Sequence, residues 1–256
     1  MNIELRMVSH KNKGAELMLR SMLAHFDGRD DVSFTGRKNV GPRDRRRALG
    51  IDTLLFGTHR GRFVTTPRHL PPAALRKRLK LTHPSEVDLV LDAAGFAYGD
   101  NWPASRARLS AEYYKSLRSR GAKVILMPQS FGPFTRTDVR DAAKDLLGQA
   151  DLIFPRDDTA MQAVEELVGP ADHISQSPDF TPLIRAELPL DLVLPERAAA
   201  VIPNQKMIQM AATTPDAYEA FLVKVIEVFA KNGLSPFLLP HASQDAPLVE
   251  RVRTRA

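Results

Sequence analysis

Hydrophobic and polar positions follow two periods along the chain, and their alternation predicts repeated strand–loop–helix units. Short apolar runs of strand length are followed by polar loops, and most loops lead into apolar residues spaced as on one helix face. The predicted strands lie at residues 2–8, 31–34, 52–56, 87–91, 124–127, 151–154, 198–203 and 234–239, with a further short strand beginning at Ile174. Strands that alternate with helices favour an α/β fold with mainly parallel sheets.

Helical spacing and its interruptions complete this prediction. Predicted helices lie at residues 17–26, 73–81, 104–120, 136–147, 160–167 and 218–229, and a last helix runs toward Ala256. Residues 36–47 and 58–72 are basic, contain glycine and proline, and are predicted to be irregular. Pro128 is predicted to end the strand that begins at Val124, because proline has no N–H to donate to a neighbouring strand.

A segment rich in proline and leucine, residues 181–197, separates the pattern into two parts. We predict an N-terminal Rossmann-like domain over residues 1–190 and a partial C-terminal Rossmann-like domain over residues 198–256. The second part has room for about two strands and two helices, which would leave a sheet edge uncovered. We therefore expect the second domain to be incomplete in this chain.

Composition excludes several classes of site. The chain has 256 residues and no cysteine, which excludes disulfides, thiolate metal sites and cysteine nucleophiles. It contains no run of 18 apolar residues, and its N-terminus lacks the basic-then-apolar layout of a secretory signal. A cytoplasmic location fits these features best.

Positive charge is concentrated in one stretch. The net charge is +6, but Arg37–Lys80 holds 13 Lys and Arg against two acids, so this stretch carries +11 and the remainder −5. A basic stretch can contact phosphates, acidic polymers or an anionic membrane surface at the inner face of the membrane. It can equally be a solvated face. Nucleic acid is disfavoured, because no recognised nucleic-acid-binding module accompanies the basic residues.

Polar residues follow several predicted strands, where ligands bind in open α/β sheets. Lys13 lies at the start of the first helix, a position that suits an anion but also ordinary capping. Asp92 and the turn Gln129–Gly132 follow two buried strands. Asp92 could instead be a helix or loop cap, and the turn could be an ordinary loop without chemistry. Arg156 is a forked donor for a carboxylate or phosphate, or a surface arginine paired with a neighbour. Asp179 ends a further short strand.

Taken together and in order, seven segments resemble the polysaccharide pyruvyl transferases. They are Asn12–Glu16, Val87–Gly95, Met127–Pro133, Phe154–Asp157, Ser177–Phe180, Val201–Asn204, and Leu239–His241 with Asp245. The resemblance implies a GT-B-like arrangement of two Rossmann-type domains, with parallel sheets flanked by helices. It also implies transfer of pyruvate from phosphoenolpyruvate to a pair of sugar hydroxyls, as a ketal. The acceptor would be a cell-surface polysaccharide or its lipid-linked precursor.

The resemblance also implies roles for individual residues. Catalytic roles fall to Asp92, Arg156 and His241; substrate-binding roles fall to Asn12, Lys13, Gly14, Glu16, Gly95, Gln129, Ser130, Phe131, Gly132, Asp179 and Asn204. Arg156, Lys13 and the N–H groups of the Gln129–Gly132 turn would hold the donor's anionic groups. Asp92 and Asp179 would act as bases or bind hydroxyls, and His241 would act as an acid, contact phosphate, or make a loop hydrogen bond. We expect no cofactor and no metal; the oligomeric state stays open.

Two departures from the family pattern leave alternatives. Ala93-Ala94-Gly95 stands where many members have a glycine cluster, and an Arg/His-containing segment of the second domain is not found among the 256 residues. One alternative is therefore a non-catalytic, degenerate transferase that binds an anionic glycan or a partner through Arg37–Lys80. A nucleotide-sugar glycosyltransferase would share the fold, but no feature of the sequence indicates a nucleotide.

Overall fold

The computed structural model describes residues 1–55, 57–59, 62–64, 71–185, 192–210, 213–240 and 242–256. The chain divides into two compact units, residues 1–185 and residues 186–256. Each contains parallel strands and helices, so the predicted α/β class with Rossmann-type, GT-B-like parallel sheets is confirmed.

A parallel sheet of seven strands forms the first unit, and its strand order is β6-β3-β2-β1-β7-β8-β9. The strands of this unit are β1 Asn2–Arg6, β2 Ser33–Gly36, β3 Ile51–Leu54, β4 Gly57–His59, β5 Arg62–Val64, β6 Leu81–Thr82, β7 Leu89–Asp92, β8 Lys123–Gln129 and β9 Leu152–Pro155. The order reverses between β1 and β7, where Ile3 pairs with Leu89. A crevice for ligands forms at such a switch point, beyond the carboxyl ends of the strands.

Helices cover both faces of this sheet. They are α1 Lys13–His25, α2 Arg43–Ala48, α3 Ala73–Leu79, α4 Ala104–Arg118, α5 Thr137–Leu147 and α6 Asp158–Val168. Adjacent residues of β7 show the two faces: Val90 packs in the cluster formed with α4, α5 and α6, whereas Leu91 packs in the cluster formed with α1. Because side chains alternate along a strand, a central strand covered on both faces is buried at successive positions.

The second unit has two parallel strands and three helices among its described residues: β10 Ala198–Val201, α7 Lys206–Gln209, α8 Pro215–Lys231, β11 Ser235–Leu238 and α9 Ala246–Arg255. Its core contains Tyr218 and Leu222 of α8 against Leu248 and Val252 of α9. The spacings of four residues bring each pair onto one helix face.

Two of the segments expected to be irregular contain regular structure. Within residues 36–47 the chain forms a short 3₁₀ turn at 38–40 and then begins α2. The local helix preference of arginine and alanine outweighs the effect of the nearby glycine and proline, which stay outside the helix. Within residues 58–72, β4 and β5 pair antiparallel.

Two strand predictions were also wrong in detail. Strand β8 continues through Pro128 to Gln129, and its register with β9 shifts between Leu126 and Gln129. This irregularity accommodates a residue that cannot donate to the ladder. The strand predicted from Ile174 is a single bridge between Ile174 and Ile153.

Candidate functional site

Backbone hydrogen bonds join the loops that follow β7, β8 and β9 into one continuous edge. The N–H of Ser130 donates to the carbonyl of Gly95 over 2.8 Å, and the N–H of Arg156 donates to the carbonyl of Gln129 over 3.0 Å. The predicted site residues of three separate loops are therefore neighbours, as expected for the carboxyl ends of adjacent parallel strands.

Gly99 and Gly132 allow the loops after β7 and β8 to touch backbone to backbone. A Cβ atom on Gly99 would clash with the carbonyl of Gly132, and Gly132 has a positive φ of 79°. The N–H of Gly132 donates to Tyr98 O over 3.1 Å. Since the N–H groups of Ser130 and Gly132 are both used between loops, this turn does not offer them to an anion as the sequence suggested.

Gln129 and Phe131, two further predicted site residues of this turn, point into the protein. They expose 0% and 3% of their surface. The Gln129 amide nitrogen donates to Asp92 O over 3.4 Å, and its Oε1 is buried without a hydrogen-bond partner among the described residues. These two side chains therefore support the turn from inside the protein and do not face solvent.

Arg156 is the predicted site residue best placed at the surface of this edge. Its guanidinium lies 3.4 Å from Asp179 Oδ2, and the two side chains expose 30% and 35% of their surface. The other oxygen of Asp179 accepts from Thr181 N and Oγ1, over 2.9 and 2.8 Å. Arginine has five N–H donors in a planar fork, so pairing with Asp179 orients it and leaves donors for a ligand.

Asp157 fixes the neighbouring hydroxyl of Ser130. One carboxylate oxygen caps α6 by accepting from Ala160 N over 2.8 Å. The other accepts from Ser130 Oγ over 3.0 Å. Ser130 is thus held at the edge by the helix that follows Arg156.

Asn12 caps α1, which agrees with ordinary capping, one of the two alternatives given for the start of this helix. Its Oδ1 accepts from Ala15 N over 3.0 Å. A Cβ atom on Gly14 would lie 3.3 Å from the same oxygen, closer than side chains usually approach. Across the switch point, a Cβ on Gly95 would meet Met18 Cε of α1 at 3.5 Å, so α1 begins beside the loop that follows β7.

Glu16 gathers three cations at the start of α1. It lies 3.9 Å from Lys13 Nζ and 3.0 Å from Arg20 Nη2, and it pairs with Arg45 of α2. Partial burial opposes ionisation of Glu16, but the hydrogen bond from Arg20 and the charges of Arg45, Arg20 and Lys13 outweigh it and lower the pKa of Glu16. Glu16 is therefore a carboxylate that holds cations at the rim, and Lys13 stays largely exposed.

Asp92 lies below the edge and has no exposed surface. Its Oδ2 accepts from the hydroxyls of Tyr98, over 2.6 Å, and Tyr114. Burial raises the pKa of Asp92, although the charge of Arg6 and the tyrosine hydrogen bonds oppose the rise. Asp92 was expected to act as a base or to bind hydroxyls, yet in this structure its carboxylate does not reach solvent.

The partners of Asp92 belong to a buried network that the sequence analysis missed. Arg6 lies under the rings of Tyr113 and Tyr114, 4.9 and 5.1 Å from their centroids, and donates to Ser110 Oγ over 3.0 Å. Glu4 is fully buried, 3.7 Å from Arg6, and accepts from the Tyr113 hydroxyl. Polar residues alternate with apolar ones in β1. Because helices cover both faces of this strand, its polar side chains must be paired inside the protein.

In the second unit, Asp245 joins the loops that follow its two strands. Its carboxylate is buried and accepts from Gln205 N, over 2.9 Å, and Ala242 N, over 2.8 Å. Asn204, predicted to bind substrate, accepts from Lys206 N over 3.0 Å and holds the turn after β10. His241, the predicted acid, lies outside the described residues.

Two classes of feature are missing from the part of the chain that the structure describes. No described helix combines the length and the hydrophobicity needed to cross a membrane. No cluster of three or more His, Asp or Glu side chains within the described ranges is arranged to hold a metal ion.

Comparison with known proteins gives one match of long extent. The sequence model of the polysaccharide pyruvyl transferase family matches residues 12–256, from the cap of α1 to the end of the chain. The curated proteins and the solved structures returned no match. The matched residues include all the loops that form the edge described above. The chain therefore belongs to the polysaccharide pyruvyl transferase family.

Proposed function

We propose that the protein transfers pyruvate from phosphoenolpyruvate to two hydroxyls of a saccharide, forming a ketal and releasing phosphate. The observation that carries this proposal is the partly exposed Arg156. Asp179 orients it beside the hydrogen-bonded loops that follow β7 and β8. A fork of N–H donors suits the carboxylate or the phosphate of this donor.

The reaction defines what the site must do. A proton adds to the methylene carbon of phosphoenolpyruvate, and the positive charge that develops at the adjacent carbon is trapped by one sugar hydroxyl. The second hydroxyl attacks the same carbon as the phosphate leaves. Of the two hydroxyl protons, one balances the new methyl group and the other leaves with phosphate, so an acid and a base are both needed.

The two cationic residues that were expected to bind the donor, Arg156 and Lys13, lie too far apart in the sheet to bind it together. Arg156 follows β9 and Lys13 follows β1, three strands away in the sheet, which is about 14 Å at the usual spacing. A three-carbon phosphate ester is shorter than this. We therefore assign the donor to Arg156 and the acceptor to the side of the crevice where Lys13 lies.

The carboxylates divide in the same way. Asp179 is partly exposed next to Arg156 and can accept a hydrogen bond from a sugar hydroxyl; Asp92 supports the edge from below. His241 remains the predicted acid or phosphate contact. We expect a lipid-linked precursor as acceptor, presented to a cytoplasmic enzyme at the inner face of the membrane, with the basic stretch as the contact.

The direct test is acceptor-dependent release of phosphate from phosphoenolpyruvate, with the ketal identified by mass spectrometry. Arg156→Gln should lower kcat/KM by about 10²-fold, since hydrogen bonds to charged groups contribute about 1.5–3 kcal/mol. Arg140→Gln removes the same charge from an exposed position on α5 and should leave kcat/KM within about twofold. A folded protein that turns over no saccharide acceptor would overturn the proposal.

The exposed cations Lys38 and Arg43 favour one alternative, a non-catalytic protein that binds an anionic glycan. Such a protein would bind the glycan without consuming phosphoenolpyruvate, and salt would weaken the complex. Turnover in the assay above separates the two functions.

A further inference from the structure

The basic stretch Arg37–Lys80 contains cations of two kinds. One kind is paired with a carboxylate: Arg37 with Glu4, Arg45 with Glu16, Arg76 with Glu86 and Lys80 with Asp52. The other kind is exposed and, among the described residues, forms no ion pair; it includes Lys38 and Arg43. Lys11, in the loop after β1, shares these properties. The charge of these three residues is thus available to a ligand.

Lys11, Lys38 and Arg43 line one cavity of about 670 Å³. We call it the basic cavity. His10 and Arg46 also line it, and no Asp or Glu does within the part of the chain that the structure describes. Other exposed cations of the stretch, such as Arg47, do not line it. The basic cavity therefore concentrates positive charge in a concave space large enough for a small ligand.

Arg46 forms a fixed wall of the basic cavity. It exposes 5% of its surface, and its guanidinium donates to Gly41 O and, over 2.9 Å, to Thr53 Oγ1. Its Nε is buried without a hydrogen-bond partner among the described atoms. Burial and the nearby charge of Arg43 lower the pKa of Arg46. A bound anion would offset the repulsion between these two guanidinium groups.

His10 adds a second unsatisfied polar atom. Its Nδ1 is buried and has no partner within the described ranges, and its backbone N–H donates to Val40 O over 3.2 Å. That bond ties the loop after β1 to the loop after β2. The opposite walls of the basic cavity are therefore joined without any ligand, as a preformed site requires.

The basic cavity lies on the acceptor side of the crevice. Its lining comes from the loops after β1 and β2, from α2, and from Thr53 of β3 and Leu81 of β6. All of these lie on the opposite side of the switch point from Arg156. Lys11 is adjacent to Asn12, the cap of α1, so the cavity and the crevice share one loop.

We propose that the basic cavity binds the diphosphate of the acceptor, a glycosyl diphosphate carried by either a lipid or a nucleoside. Three exposed cations and one buried cation match a group with several negative charges and many acceptor oxygens. A neutral sugar would gain nothing from these four charges. The assignment to the acceptor rests on the proposed function; the binding of a diphosphate does not.

Direct binding tests the cavity without any assumption about turnover. Titration calorimetry of the full chain with inorganic pyrophosphate should show binding that weakens at least tenfold in the double variant Lys38→Gln/Arg43→Gln. Lys11→Gln, on a different loop, should weaken it severalfold. Arg47→Gln is the matched control, because it removes the same charge from α2 outside the cavity, and its affinity should stay within twofold at the same salt concentration.

Three results would overturn the proposal. Pyrophosphate could bind the double variant, shown to be folded by its melting temperature, as tightly as the unchanged protein, or fail to bind either. Alternatively, phosphoenolpyruvate could displace pyrophosphate competitively, which would make the basic cavity the donor site.

Kinetics then test the assignment to the acceptor and distinguish its source. Three saccharide acceptors are compared: one on a polyprenyl diphosphate, one on a nucleoside diphosphate and one without phosphate. In the double variant, KM for the diphosphate acceptors should rise about tenfold, while kcat and KM for phosphoenolpyruvate stay unchanged. For the unchanged protein, the diphosphate acceptor with the lower KM identifies the carrier as a polyprenyl lipid or a nucleoside.

An equal rise in KM for the acceptor without phosphate would contradict the acceptor assignment. If no acceptor is turned over at all, the proposed function fails, and the pyrophosphate titration still decides whether the basic cavity binds a diphosphate.

Discussion

Two groups of charged residues lie at the same end of one sheet, and they differ in how far their partners are exposed. The buried group contains Glu4, Arg6 and Asp92, packed against tyrosines of α4. The rim group contains Glu16 and Arg156, which pair with exposed partners. Burial raises the pKa of Asp92. By contrast, the cations around Glu16 lower the pKa of Glu16 despite its partial burial.

This contrast shows that a carboxylate at the end of a strand is not by itself evidence for a base. β1 and β7 are central strands with helices on both faces, so their polar side chains need partners inside the protein. The loops after β8 and β9 reach the surface, and there a charged group can contact a ligand. Burial, not residue type, decides which of these charged groups a ligand can reach.

Asp92→Ala should give the largest loss of stability of the variants considered. A small loss would contradict the distinction between the buried group and the rim group. The substitution leaves the buried hydroxyls of Tyr98 and Tyr114 without their shared acceptor, and each buried group left unsatisfied costs about 1–3 kcal/mol. Urea denaturation measures the free energy of unfolding. Asp179→Ala, at the rim, should cost less than about 1 kcal/mol. Equal losses in the two variants would show that burial does not separate the groups.

Tyr114→Phe and Tyr113→Phe resolve the buried group further. Each removes one hydroxyl donor, to Asp92 and to Glu4 respectively, and should lower the free energy of unfolding by about 1–3 kcal/mol. Combining Tyr114→Phe with Asp92→Asn should cost less than the sum of the two, because the partners interact. Additive losses would mean that the hydroxyl and the carboxylate act independently.

Arg156→Gln should show the reverse pattern. Its free energy of unfolding should change by less than about 1 kcal/mol, as for other partly exposed ion pairs, even though kcat/KM falls as proposed above. Urea denaturation and steady-state kinetics on the same preparation make this test. A stability loss as large as that of Asp92→Ala would place Arg156 with the buried group.

The pH dependence of stability should have opposite signs in the two groups, and this is the smallest effect. The pKa of Glu16 is lowered from its usual 4.5, so its contribution is present above pH 4.5 and is lost as pH falls. The pKa of Asp92 is raised from its usual 3.8, so its contribution is present below pH 3.8 and is lost as pH rises through the folded-state pKa.

Denaturation of Glu16→Gln and Asp92→Asn across acidic pH measures both. As pH rises, the stability advantage of the unchanged protein over Glu16→Gln should grow by less than about 1 kcal/mol, and its advantage over Asp92→Asn should shrink. Parallel trends in the two variants would contradict the assigned directions.

Features of local sequence were predictable, whereas features set by the neighbours of a strand were not. The caps at Asn12 and Asp157, the loops after the strands and the α/β class follow from residue type and spacing. The burial of Glu4 depends on β1 being central in the sheet, which its own sequence does not show. Pairs such as Glu16 with Arg45 join separate elements, and a single sequence carries no signal for them.

The pairing of β1 with β7 has a consequence for how the protein folds. Asn2 and Asp88, 86 positions apart, are joined across these strands by a hydrogen bond. Closing a chain segment of that length costs about 4 kcal/mol of entropy beyond a constant, and contacts of such long range slow folding. During synthesis, β1 cannot pair with β7 until the chain has grown past β7. The crevice between β1 and β7 can therefore form only after the chain has grown past Asp92.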